Sequence, residues 1–288
     1  MTNENKTIAE RLREAAALLE HQEANRFRVA AYRKAAETVE SLPQDVSLIF
    51  RTEGFSGLTA LPGIGTQLGG AIAEMIRTGQ WTQLERLHGT LDPESLLTNV
   101  PGIGVNLARR IVNDLHIETL EGLETAVHDG RLAKLSGFGV RRVAMTRAAL
   151  AEMLGRRGRQ KIDRHEPPID ILLDVDREYR EKSATKKLRL IAPKRFNPKN
   201  EAWLPVLHTE RGVWRFTALY SNTALAHNLG RTRDWVVIYF QSDSSPEGQR
   251  TIVTETLGRL KGSRVVRGRE NECIQHYRTL WSNPPNVA

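Results

Sequence analysis

The sequence predicts a multidomain α+β protein, with an all-α N-terminal half of helix-hairpin-helix units and a mixed α/β C-terminal domain. Three observations predict it. The stretch LTALPGIGTQLGGAIAEMI at 58–76 returns as LLTNVPGIGVNLARRIV at 96–112 and, more weakly, as LAKLSGFGVRRVAMTRA at 132–148. Beyond residue 186 the pattern changes to short β-branched and aromatic runs separated by turn formers. The charge divides at the same place. Residues 1–155 carry 17 Lys and Arg against 19 Asp and Glu, whereas residues 156–288 carry 25 against 15.

In chain order, Thr7-Ile8-Ala9-Glu10 reads as a capping box opening a first helix, with Ile8, Leu12, Ala15 and Leu19 on one face. A second helix is expected from about Asn25 to Ser41, ending before Pro43, and a short third near 45–52. Gly79 closes the helix after the first hairpin. Asp92-Pro93 restarts the chain as an N-cap with a first-turn proline. Thr119 begins a helix that stops at Gly130, and the last hairpin's helix runs to about Leu154. GRRGRQKIDRHEPP at 155–168 is basic, glycine-punctuated and closed by two prolines, which marks a linker. ILLDVDREYREK follows as a short amphipathic helix. Strands are expected in LRLIA, EAWLPVLHT, GVWRFTALY, DWVVIYF, RTIVTET and SRVV, with a helix after Ser221 and a last one near 270–280. The expected divisions are 1–90 with the first hairpin, 91–155 with the other two, 156–186 as linker and short helix, and 187–288 as the α/β domain.

The hairpins carry the chemistry. Proline sets the turn and two glycines give it angles that a side chain forbids. Backbone N–H groups then gather at the positive end of the following helix and form an anion site without a basic side chain. A regularly repeated anion means nucleic-acid phosphate, and such contacts carry no sequence information. The other reading, a glycine turn that only joins core helices, does not require PGIG to recur. The positive C-terminal half would supply long-range attraction for a polyanion.

Other classes are disfavoured. No run is long enough to span a bilayer, and MTNENKTIAERL lacks an apolar leader, so a cytoplasmic protein with no membrane partner is expected. Cys273 is the single cysteine, which excludes an intrachain disulfide.

The segments FRVAAYRKAAETVESLP, LPGIGTQLGGAI, VPGIGVNLARRIV and IETLEGLETAVHDGRLAKLSGFG resemble the N-terminal half of family X DNA polymerases, DNA polymerase beta and its bacterial relatives. The resemblance implies a helical domain that holds the 5′ side of a DNA gap and hairpins that bind phosphates. It also implies K+ or Na+ on backbone carbonyls, here those of Thr59, Leu61 and Ile64 and of Thr98, Val100 and Ile103. Arg28 stands where the family has a lysine for the 5′ phosphate, and Tyr32 and Lys34 match. Arg28 and Tyr32 lie four apart and share a helix face.

This chain departs from the family at chemically decisive positions. The Schiff-base lysine of the deoxyribose-phosphate lyase is Ala71 here, and a neighbouring phosphate-binding lysine is Gln67. A methyl group cannot attack an aldehyde, so lyase activity is not expected. Asp174-Val175-Asp176 lacks the preceding Gly-Ser turn of a nucleotidyltransferase, so no polymerase palm is expected, and without histidine clusters the appended phosphoesterase domain is not expected either.

No catalytic residue is assigned. The expected DNA-binding set is Gly63, Ile64, Gly65 and Thr66 in the first hairpin, Gly102, Ile103, Gly104 and Val105 in the second, and Gly137 and Gly139 in the third. Arg28, Tyr32, Arg33, Lys34, Arg109, Arg110, Arg141 and Arg142 complete it. The expectation is a structure-dependent, sequence-nonspecific DNA-binding protein. It would act on gapped, nicked or single-strand-containing DNA in repair or end processing, with a repair-protein partner as a further expectation.

Two alternatives stay open, a nuclease-like enzyme in the C-terminal domain and a protein-interaction scaffold. For the enzyme, the candidates are His208, Tyr220, Asn222, His227, Asp234, Glu255, Arg264, Arg267 and Arg269. A metal set would need Cys273, His276, His208 and His227 brought together. In the strand at 212–220, alternation puts Trp214, Phe216 and Tyr220 on one face and Arg215 on the other, a pattern that favours core over base stacking.

Overall fold

A computed structural model describes residues 3–89, 92–153, 166–242 and 247–282. In the helical half, α1 (Asn3–His21) and α2 (Arg26–Ser41) pair antiparallel, followed by α3 (Val46–Thr59), α4 (Thr66–Thr78) and α5 (Thr82–His88). The first helix starts at Asn3, four residues before the expected capping box. Asn5 explains the fixed start, since its side chain donates to the Gln44 carbonyl and accepts from Val46 N. The third helix runs longer than expected because Gly54, at φ 69°, kinks it without ending it. Gly79, at φ 68°, closes α4. One apolar core runs through these helices from Ile8 to Leu87.

A second core, from Leu96 to Leu150, joins α6 (Pro93–Thr98), α7 (Val105–Leu115), α8 (Leu120–His128), α9 (Arg131–Lys134) and α10 (Val140–Met153). Thr119 caps α8, with its hydroxyl accepting from Gly122 N. Most of the basic segment at 155–168 lies outside the described residues.

The C-terminal domain is a six-stranded antiparallel meander in sequence order: β1 (Arg189–Ile191), β2 (Leu204–Arg211), β3 (Trp214–Tyr220), β4 (Val236–Gln241), β5 (Gly248–Thr254) and β6 (Arg264–Val266). The helix expected inside the linker, α11 (Ile169–Ala184), is part of this domain. It lays Ile169, Leu172, Val175 and Tyr179 on the sheet, where Tyr179 donates to the Pro205 carbonyl and meets Tyr220 edge-on at 4.8 Å. The short helix α12 (Ala224–Asn228) is capped by Thr223 rather than Ser221. The last helix, α13 (Glu270–Ser282), buries Cys273 in the same core.

β4 is buried along its whole length, because both faces of the sheet are covered. Among its contacts with the helical half, the face opposite α11 presents one cross-strand row, His208, Thr217, Tyr239 and Gln249, aligned by register. His208 Nε2 lies 2.9 Å from Gln22 Oε1, Tyr239 donates to Glu118 at 2.9 Å, and Gln249 donates to the His116 carbonyl at 2.9 Å. The sheet thus touches both helical cores. Among the described residues, no helix is long and apolar enough to cross a membrane.

Candidate nucleic-acid interface

The three hairpins share one geometry. Ile64 N donates to the Leu61 carbonyl at 3.1 Å, Ile103 N to that of Val100 at 3.0 Å, and Phe138 N to that of Leu135 at 3.0 Å. Gly63, Gly102 and Gly137 take φ of 72°, 86° and 97°, and Ile64, Ile103 and Phe138 plug the cores beneath them. The second glycine of each unit, Gly65, Gly104 and Gly139, is exposed and immediately precedes α4, α7 and α10. Gly65 and Gly104 offer no side-chain cap, so the first-turn N–H groups of their helices face outward with the dipole. Thr66 is half-buried, whereas Val105 and the corresponding Val140 are exposed at the tips.

Neighbouring helices clasp each turn. Thr38 Oγ1 donates to the Pro62 carbonyl at 2.8 Å, and a Cβ on Gly63 would come within 3.0 Å of Lys34 Cγ. Lys34 therefore lies against the first hairpin, with its ammonium 3.5 Å from Glu37. Arg33, also on α2, pairs with Glu20 of α1 at 2.6 Å. Arg109 pairs with Glu94 at 3.5 Å. Arg110 donates to the Ser136 carbonyl at 2.6 Å and Arg142 to that of Gly137, so both arginines ring the third hairpin. Arg141 is exposed.

Two expected contact residues are placed elsewhere. Tyr32 is a core residue, 4% exposed, stacked on Trp81 at 5.9 Å and bonded to Gln83. It faces inward because α2 turns its apolar side to α1 and α5, which corrects the reading of Tyr32 as a DNA contact. Arg28 is half-buried at the sheet, close enough to help hold the buried His208 imidazole well below its usual pKa, after desolvation. Ala71 is buried in the first core, and Gln67 Nε2 donates to the Ser242 carbonyl at 2.8 Å, beside the first hairpin.

The carbonyls considered for a monovalent cation occupy matching places. Thr59 and Thr98 end α3 and α6, where terminal carbonyls lack intrahelical partners. Leu61 and Val100 each accept one hairpin N–H and keep a second lone pair. No cluster of three His, Cys, Asp or Glu suited to a metal occurs among the described residues, and Cys273, His276, His208 and His227 are not brought together.

The C-terminal candidates are engaged in structure. Asp234 accepts from Thr254 and Arg264, and Arg264 also pairs with the buried Asp176 at 2.6 Å. Asp174 pairs with Arg211 and Arg177, so both carboxylates of the Asp-x-Asp pair face guanidinium groups. Glu255 pairs with Arg267 and Arg269 with Glu272. His227 Nε2 lies 2.6 Å from Asn222 Oδ1. Trp214, Phe216 and Tyr220 are buried together, as alternation implied.

Residues 3–81 match the family model described as a helix-hairpin-helix domain, and residues 94–151 match a SAM-like helix-hairpin-helix tandem. The chain is similar to "DNA polymerase/3'-5' exonuclease PolX" of Bacillus subtilis (strain 168), 29% identical over 178 residues, which is 61% of this chain and 29% of that protein. The chain thus spans less than a third of that relative. The helical half carries helix-hairpin-helix domains and resembles the N-terminal half of family X DNA polymerases.

Proposed function

We propose that this protein binds DNA without sequence preference by gripping phosphates at its hairpins, and that it acts at gaps, nicks or single-strand junctions in repair or end processing. The observation that carries the reading is the threefold recurrence of one turn, with an exposed glycine immediately before each following helix. Lys34, beside the first hairpin, is the side chain best placed for a terminal phosphate. K+ or Na+ at the Thr59–Leu61–Ile64 and Thr98–Val100–Ile103 carbonyls would neutralise the turns and hold them for phosphate contact.

The proposed role is non-catalytic. Ala71 offers no amine for a Schiff base. Asp174 and Asp176 lie on one helix with arginine partners, a poor setting for two magnesium ions. The nuclease alternative is weakened because Asp234 and Glu255 already hold arginines. Competition binding by the full chain among gapped, nicked and intact duplexes tests the structural preference. Tighter binding to gapped or nicked DNA is expected, and equal affinity for all three would overturn it.

A further inference from the structure

The sheet and the helical half enclose a cavity of about 40 Å3, whose walls include Arg86, Glu118, Arg195, Leu204, Leu219 and Tyr239. One water needs about 10–15 Å3, so the space suits a group of a few heavy atoms.

Arg86 is only 4% exposed. Its Nη2 pairs with Glu247 at 2.7 Å, and its guanidinium lies 3.7 Å from the Tyr239 ring centroid. Its Nε and Nη1 are buried and have no hydrogen-bond partner among the described residues. Unmet buried donors are costly, and those of a cation more so. The second guanidinium on the wall, Arg195, pairs loosely with Glu94 at 3.6 Å, and its backbone carbonyl is held by Asn222. Burial raises the Glu118 carboxyl, against the Tyr239 hydrogen bond and nearby arginines, which lessens its repulsion of an anion.

We propose that this interdomain cavity binds a small oxyanion, phosphate or carboxylate, which accepts from the unmet donors of Arg86 and is drawn in by Arg195. Occupancy would bridge the two halves of the molecule, because Arg86 and Glu118 belong to helical-half segments while Tyr239 and Arg195 belong to the C-terminal domain. The site is separate from the hairpins and independent of DNA binding.

Calorimetric titration of the full chain with sodium phosphate and with sodium acetate, at constant ionic strength set by sodium chloride, tests this. Saturable binding of at least one oxyanion is expected, and the pair of titrations tells phosphate from carboxylate. Combining Arg86→Met with Glu247→Gln removes both partners and leaves no unpaired buried charge. That variant should bind about tenfold more weakly or worse, given the strength of charged hydrogen bonds. Arg195→Gln leaves the Arg86–Glu247 pair intact and should weaken binding severalfold, which decides the matter if the double variant fails to fold. The proposal is overturned if neither oxyanion binds saturably, if chloride competes equally (an adventitious ion only), or if folded cavity variants bind as the parent does.

Discussion

Tyr239 Oη donates to Glu118 Oε2 across the boundary between sheet and helices, 2.9 Å apart, and both residues are buried. It is the central tie in the row that runs from His208 to Gln249. Tyr239→Phe keeps the ring and leaves the Glu118 carboxyl short of one partner. The expected cost is about 1–3 kcal/mol of stability, read from urea denaturation. An unchanged midpoint would remove this bond from the account of the interface.

Arg86, which is buried, and the partly buried Glu247 form a second tie. Glu247→Ala leaves a guanidinium uncompensated inside the protein, at an expected cost of about 3–5 kcal/mol. Replacing both, as Arg86→Met with Glu247→Gln, should cost clearly less than Glu247→Ala alone. Equal losses would mean that the charge pair is not what the single substitution exposes.

Glu74 makes stability depend on pH. Burial, then Glu121, raise its carboxyl from 4.5 to about 8, although Thr82 N and Oγ1 donate to it. The folded state holds this proton longer than the unfolded chain, so the contribution is full below pH 4.5 and is lost as pH rises through about 8. Glu74→Gln should flatten that alkaline decline. His116 acts oppositely, since burial and then Arg267 lower its imidazole to about 4, so its contribution fades as pH falls from 6.5 toward 4. Denaturation midpoints across pH check both limbs, and an unaltered alkaline limb in Glu74→Gln would reject the assignment.

The hairpins were legible because their signal is local. Pro62-Gly63-Ile64-Gly65 and its copy state turn, plug and helix start within four residues. The strands were legible from short β-branched and aromatic runs bounded by turn formers, and their six segments all formed. Tyr32 was misread because RFRVAAYRK mixes basic and apolar residues, and the choice of inward face depends on α1 and α5. The place of α11 was hidden for a similar reason, since its apolar stripe is set by the sheet it covers. The interdomain row could not be read at all. His208, Tyr239 and Gln249 become neighbours only through strand register, and their partners Gln22, Glu118 and His116 lie far away in the chain.

Ala71 bears on catalysis directly. Incubation of the full chain with DNA carrying a 5′-deoxyribose phosphate and borohydride should trap no covalent adduct, because the position offers a methyl group. A trapped adduct would contradict the non-catalytic reading and direct attention to Lys34, the lysine against the first hairpin.

The most direct test of the central claim changes Gly65, Gly104 and Gly139 together to Asp and measures duplex-DNA affinity of the full chain across a salt series. A Cβ at each of these glycines would meet no other atom within 4 Å. Asp is also a favourable N-cap, so helix stability should hold or rise while the carboxylates occupy and repel from the phosphate sites. The corresponding Asn series fills the same caps without adding charge. The account predicts affinity lower by about a hundredfold or more at moderate salt for the Asp variant, with a smaller loss for Asn and a shallower salt slope. Unchanged affinity and slope in the folded triple Asp variant would contradict it, and would place DNA binding on the positively charged C-terminal half instead.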